Sequence, residues 1–221
     1  MKKRKPNFLL TIVLVAIAFS LVYSSHMQKK VTDPVDYPQS LDLTAAEVNG
    51  KTLTLRDMAF YVAYEEAQVE QKAVLYDEEH PEKYWNMRVK GGFTRVVARN
   101  AAMQMAIHDE LMYALATEEG ITLSAEEEEQ VQEVHGDFWA DLTDEGGDKR
   151  LGVEEEDIRE TLRRIAIAQK YQAVFAELHN KSYEDYEFTA DAYQEFLEKQ
   201  DYTVNEDVWN RVSFGSVTLE H

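Results

Sequence analysis

Between Val96 and Ala116 the apolar side chains are Val96, Val97, Ala98, Ala101, Ala102, Met103, Met105, Ala106, Ile107 and Leu111 to Ala116. Wound at 3.6 residues per turn they cover most of a cylinder, which predicts a helix inside a bundle rather than on its surface. Ala and Met favour helix, and no Pro or Gly interrupts the run. Thr94 is placed to cap its start, and Gly120 stands where a helix stop takes a left-handed residue. Ser124-Ala-Glu-Glu127 then matches the S-x-x-E capping box, so a second, acidic helix begins at once. On its own, this stretch describes a helical hairpin of the kind any all-α protein contains.

The remaining pattern is also mainly helical. Thr54-Leu-Arg-Asp57 opens a helix that runs to about Tyr76, with Met58, Tyr61, Val62, Ala67, Val69, Ala73 and Val74 among its apolar positions. Glu154–His179 is a long amphipathic helix with a stripe of Ile158, Leu162, Ile165, Val174, Phe175 and Leu178, laced by Glu155–Arg159 and Glu160–Arg164 at i,i+4. A shorter helix is expected over Ala190–Lys199 behind a Thr189 cap. Before the first helix, Asn49-Gly50 between Glu47-Val48 and Lys51-Thr-Leu53 predicts a two-residue β-hairpin turn. Tyr84–Gly92 reads as a connecting loop or short turn, and Asp141–Gly152 as a loop. Val208–Leu219 turns β-rich, and Val212–Leu219 is expected to pair with the Ala46–Leu53 hairpin, because an unpaired strand edge needs a partner. The fold class is therefore mainly α, multi-helix, with a small β-hairpin and a C-terminal strand.

Hydrophobicity and charge then change along the chain. Residues 1–7 are basic, and Phe8–Tyr23 is sixteen residues without a charge. With Ser24 and Ser25 this reads as a signal anchor over 8–25, the alternative being a cleaved signal peptide. In either case the basic flank stays cytoplasmic and the body lies outside. Residues 26–43, with Pro34 and Pro38, read as a linker, 44–200 as the helical domain and 201–221 as its β-rich end. The first 30 residues hold six basic and no acidic side chains, leaving 17 basic against 42 acidic in the rest, a net −25. Such a body repels phosphate backbones, which argues against a nucleic-acid partner. There is no cysteine, which removes disulfides, thiolate metal sites and cysteine nucleophiles.

Candidate chemistry is thin. His26, His80, His108, His135, His179 and His221 form neither H-E-x-x-H nor paired Glu-x-x-His, and no phosphate-cradling glycine loop is present. No catalytic residue, metal ligand or cofactor is assigned. The four acids Glu126–Glu129 fit the positive end of a helix dipole better than a cation site. The aromatic and Met side chains are more informative: Tyr61, Tyr64, Tyr84, Trp85, Met87, Met103, Met112, Phe138 and Trp139 could line a groove for apolar peptides, or else fill the core. Tyr84-Trp85, in an expected loop, is the pair picked for exposure.

Three motifs now stand in order behind the apolar segment: Val48-Asn49-Gly50 before a Thr-capped helix, Ala116-Thr-Glu-Glu-Gly-Ile-Thr-Leu-Ser-Ala-Glu-Glu127, and Leu151-Gly-Val-Glu-Glu-Glu-Asp-Ile158 before a long helix. Over roughly residues 44–200 this resembles the N-terminal chaperone region of extracytoplasmic foldases of the SurA and PrsA type. The resemblance implies ATP-independent holding of unfolded exported polypeptides and an extracytoplasmic location; a homodimer is a separate expectation for the assembly. In that family a parvulin domain follows and isomerises X–Pro bonds. Ala190–Lys199 resembles its leading helix and Arg211–Thr218 its first strand, and the chain is expected to lack the remainder, hence the isomerase chemistry. A scaffold binding one folded envelope partner, or an enzyme using paired acids, are the alternatives of other classes.

Overall fold

The computed structural model describes residues 33–220. The apolar segment over 8–25 and its anchor reading lie outside them; among the described residues no helix is long and apolar enough to cross a membrane. The chain runs β1 (Thr44–Val48), β2 (Lys51–Thr54), α1 (Leu55–Tyr76), α2 (Glu82–Trp85), β3 (Arg88–Val89), β4 (Gly92–Phe93) and α3 (Thr94–Glu118). It continues with α4 (Ala125–Asp144), α5 (Gly147–Leu151), α6 (Glu155–Leu178), a 3-10 turn (Tyr183–Tyr186), α7 (Asp191–Leu197), β5 (Tyr202–Val204) and α8 (Glu206–Trp209). The protein is thus mainly helical with a small antiparallel sheet.

α3 is the buried helix its composition predicts. Ala98, Ala102, Met103, Ala106, Ile107, Leu111, Met112 and Ala116 are all buried, and it packs between α1 and α6. Small alanines let the neighbours approach, and each larger side chain removed from water adds about 1.5–3 kcal/mol. The punctuation also forms. Thr54 and Ser124 make reciprocal capping boxes with Asp57 and Glu127, and Gly120 takes φ +69°. Asn49 (φ 47°) and Gly50 (φ 80°) turn the hairpin.

Several local expectations are corrected. Phe93, not Thr94, is the N-cap of α3; the Thr94 backbone N–H and hydroxyl both donate to the Met87 carbonyl, tying the helix to the strand pair before it. Ala190 rather than Thr189 precedes α7. Tyr84–Gly92 holds a helical turn and the β3–β4 ladder. In Asp141–Gly152, α4 continues to Asp144, and α5 stands between Gly146 (φ 70°) and Gly152 (φ 73°) with Leu151 fully buried. Glu155–Arg159 pairs as expected, whereas Arg164 turns away from Glu160 to Glu110. Residues 35–43, read as linker, join the fold: Tyr37 is buried and its hydroxyl donates to the Leu55 carbonyl at 2.6 Å.

The largest correction concerns the C-terminal segment. The strand that joins the hairpin is β5, antiparallel to β1 with Ala46 opposite Val204 and Val48 opposite Tyr202, giving the order β2-β1-β5. Val212–Leu219 is not a strand and does not pair with the hairpin. Its backbone bends around the α1 carboxylate Glu66, which accepts from the N–H groups of Gly215 (2.6 Å), Ser216 (3.2 Å), Val217 (3.1 Å) and Thr218 (2.6 Å). A strand would have offered those donors to a sheet. Val212, Phe214 and Val217 are buried, so their β-type composition reflects packing rather than a ladder.

Candidate binding clefts

Two apolar hollows open beside α1, one on each side of the contact between Phe60 and Phe138, whose rings lie 4.9 Å apart. The larger is a cleft of about 830 Å³ among α1, α3, α4, α6 and the 3-10 turn. Phe60, Tyr61 and Tyr64 enter from α1 and Met105 from α3. Val131 and Val134 enter from α4, and Leu162 and Ile165 from α6. Val134 is 57 % exposed although it sits on a helix with few apolar residues, and Tyr64, stacked on Phe60 at 5.8 Å, is 38 % exposed.

The Gly120–Glu127 corner closes one end of this cleft. Leu123 lines it, and Lys170 donates to the Thr122 carbonyl at 3.0 Å and to Glu127 at 2.7 Å. Glu127 also accepts from the Ser124 N–H at 2.6 Å; the Lys170 bond first, and this one after it, hold its carboxyl below the ordinary range. One motif therefore caps a helix, fixes a corner and shapes the cleft wall.

A polar knot braces the cleft floor. Tyr61 donates to Asp109 Oδ2 at 3.1 Å, and burial, followed by the Asp109 charge, pushes its hydroxyl well above the usual tyrosine range. His108 Nε2 lies 3.0 Å from the Tyr186 carbonyl, which can only accept, so Nε2 carries a proton. Nδ1 lies 2.9 Å from Asp109 Oδ1. Through these partners His108 ties the 3-10 turn to α3. Behind it, a small cavity of about 120 Å³ is lined by Arg56, Asp109, Glu110, Asp157 and Arg164 among others. Burial raises the Glu110 carboxyl, against the opposing effect of Arg164, which pairs with it. Among the described residues, no group of three His, Asp or Glu side chains is placed to hold a metal ion.

Of the groove residues expected from sequence, two come together in the cleft, Tyr61 and Tyr64, and Phe138 lines the second hollow. The others do not join them. Trp85 is 1 % exposed, packed on Gly215 and donating to Glu70 at 3.0 Å, because α2 replaces the expected loop. Met103 and Met112 are buried in the two apolar cores, since α3 presents them to its neighbours rather than to the cleft. Tyr84 is half-buried beside Tyr76 at 5.7 Å, Met87 is half-buried at the strand pair, and Trp139 packs against the main core. Met105, one of the methionines of the central helix expected at a groove, does line the cleft, whereas Val131 and Val134 are residues the sequence reading missed. The i,i+3 pair Val131–Val134 in the acidic first half of α4 was the available signal.

Comparison with known proteins finds no match: no family model fits the chain, and no curated protein or solved structure is similar to it.

Proposed function

We propose that this protein is an extracytoplasmic, ATP-independent holding chaperone, tethered through its N-terminal apolar segment, that shields apolar stretches of unfolded exported polypeptides. One observation carries the reading: an open cleft of about 830 Å³ in which aromatic, aliphatic and Met side chains are interspersed with Gln130 and Gln169. Such a lining buries apolar side chains of varied shape while giving an extended backbone donors and acceptors. The basic-then-apolar N-terminus supports the location, and the net −25 of the remaining chain keeps a loaded complex soluble. The ordered motifs resembling SurA and PrsA chaperone regions support the same activity, and the Gly120–Glu127 motif borders the cleft.

The test is aggregation of a chemically unfolded client, followed by light scattering without nucleotide. The protein at several-fold excess slows aggregation, and Val134→Glu together with Tyr64→Glu, both at exposed positions, removes most of that effect while leaving the helical circular dichroism intact. Equal protection by the double variant would mean that the cleft is not the holding site. No protection by the wild-type chain would end the chaperone reading.

A further inference from the structure

The second hollow differs from the cleft in shape and charge. It is a groove of about 730 Å³ along the C-terminal halves of α1 and α4. Ala63, Ala67, Val74 and Leu75 line it from α1, Phe138 and Leu142 from α4, and Leu219 from the C-terminal segment. From Ala63 to Leu75 the helix rises about 18 Å at 1.5 Å per residue, or about three turns. Leu75 is 88 % exposed and Val74 43 %, a strongly apolar end of a helix left open to water.

The charged residues lining this groove are all acidic: Glu70, Asp141, Asp144 and Glu145. Among the described residues, no ion pair involves Asp141, Asp144 or Glu145. The nearby Arg150 is engaged by the Glu145 and Thr218 carbonyls and by the Glu220 carboxylate, and does not line the groove. An apolar trough between two helices, three turns long with one sign of charge on its rim, matches a third helix whose apolar face is flanked by Lys or Arg.

We infer that this groove is a docking site for a basic amphipathic helical segment of a partner polypeptide, distinct from the cleft assigned to unfolded clients. The partner helix places apolar side chains at i, i+3 or i+4 and i+7 on Ala67, Leu75 and Phe138, and its flanking ammonium or guanidinium groups meet Asp141, Asp144 and Glu145. The rim carboxylates exclude an acidic helix of the same apolar pattern, because each unpaired like-charge contact raises the cost of desolvation.

The test uses the full chain in zwitterionic lipid nanodiscs, with empty nanodiscs as blank, and two labelled peptides of about 14 residues that share a Leu face and differ only in Lys or Glu flanks. Fluorescence anisotropy is expected to show saturable binding of the Lys peptide that weakens with salt, and at least about tenfold weaker binding of the Glu peptide. Val74→Ser with Leu75→Ser, and separately Asp141→Asn with Asp144→Asn, each weaken the Lys peptide about tenfold without changing the fold. Val134→Glu in the cleft leaves peptide binding unchanged, so failure of the holding reading is separable from failure here. No binding at about 100 µM, equal binding of both peptides, or indifference to the groove variants overturns the proposal. Sedimentation showing self-association that disappears with the Val74/Leu75 variant also overturns it, by assigning the groove to a second copy of this chain.

Discussion

Replacing Glu66 tests the arrangement most unlike anything its sequence suggests. Its carboxylate is fully buried in the middle of α1 and accepts four backbone N–H groups of residues 215–218 together with the Thr218 hydroxyl at 2.6 Å. Glu66→Ala removes the acceptor and leaves five buried or half-buried donors facing a void. Each stranded donor costs about 1–3 kcal/mol if nothing moves, but the segment can peel away and reach water, so the sum is not reached. Relief from burying a charge also offsets part of the loss; burial is the largest influence on this carboxyl and raises its proton affinity. The expected net loss is about 3–5 kcal/mol, the range found when one partner of a buried charged network is deleted. Glu66→Gln keeps one acceptor oxygen and loses the charge, but turns an amide N–H₂ towards N–H donors, so about 1–3 kcal/mol is expected. Urea unfolding gives these differences as shifts in midpoint at constant slope. Amide exchange gives their location: protection at 215–218 collapses in Glu66→Ala while the amides of α3 keep theirs. A loss below about 1 kcal/mol, or unchanged protection at 215–218, would refute the view that this carboxylate holds the segment.

Two further predictions follow from the same physical accounting. Gly152 has φ +73°, and a Cβ there would lie 2.6 Å from Pro38 Cβ and 2.7 Å from Pro38 Cα, so Gly152→Ala combines backbone strain with a clash against a rigid ring; a loss of about 2–4 kcal/mol in thermal or urea unfolding is expected. For pH, burial raises the carboxyl affinities of Glu65, Glu66 and Glu110 above their ordinary value of 4.5. The folded chain therefore takes up protons before the unfolded chain does, and stability rises as pH falls from 7.5 towards about 5. Below that, Asp77, Glu126, Glu127 and Asp185, whose carboxyls are held low by hydrogen bonds and charge, lose their contribution and stability falls. Melting temperatures across this range are expected to pass through a maximum on the acid side of neutrality, and a monotonic fall from pH 7.5 downward would contradict the balance.

What could be read from sequence follows from which interactions are local. The capping boxes at Thr54 and Ser124, the left-handed Gly120 and the Asn49-Gly50 turn were legible because each needs only residues within four positions. The burial of α3 was legible because its apolar side chains occupy nearly the whole circumference. Glu66 was not, since nothing in Ala63–Val69 distinguishes a carboxylate that meets water from one that meets residues 215–218 about 150 positions away. Val212–Leu219 was misread for the same reason: branched and aromatic residues mark burial, and burial was satisfied by a bend around Glu66 instead of by a sheet.

The cleft illustrates the same boundary from the functional side. Tyr61, Tyr64, Trp85 and Met103 look equivalent as apolar or aromatic residues on helices, yet only the first two reach the opening. What separates them is which helix neighbours cover them: α4 meets α1 at the Phe60–Phe138 contact, and the two hollows lie beside it. Val134 and Tyr64 are wet at the cleft and Leu75 at the groove, whereas Met103 and Met112 are buried in the apolar cores. An apolar side chain left facing an open gap gains nothing in stability from the gap. Filling Val134 and Leu75 with polar groups would improve solubility at little cost to packing. Under the two proposals made above, the cleft, with its glutamines and mixed charge, takes unfolded clients, and the groove, whose charged lining is wholly acidic, takes a basic helix.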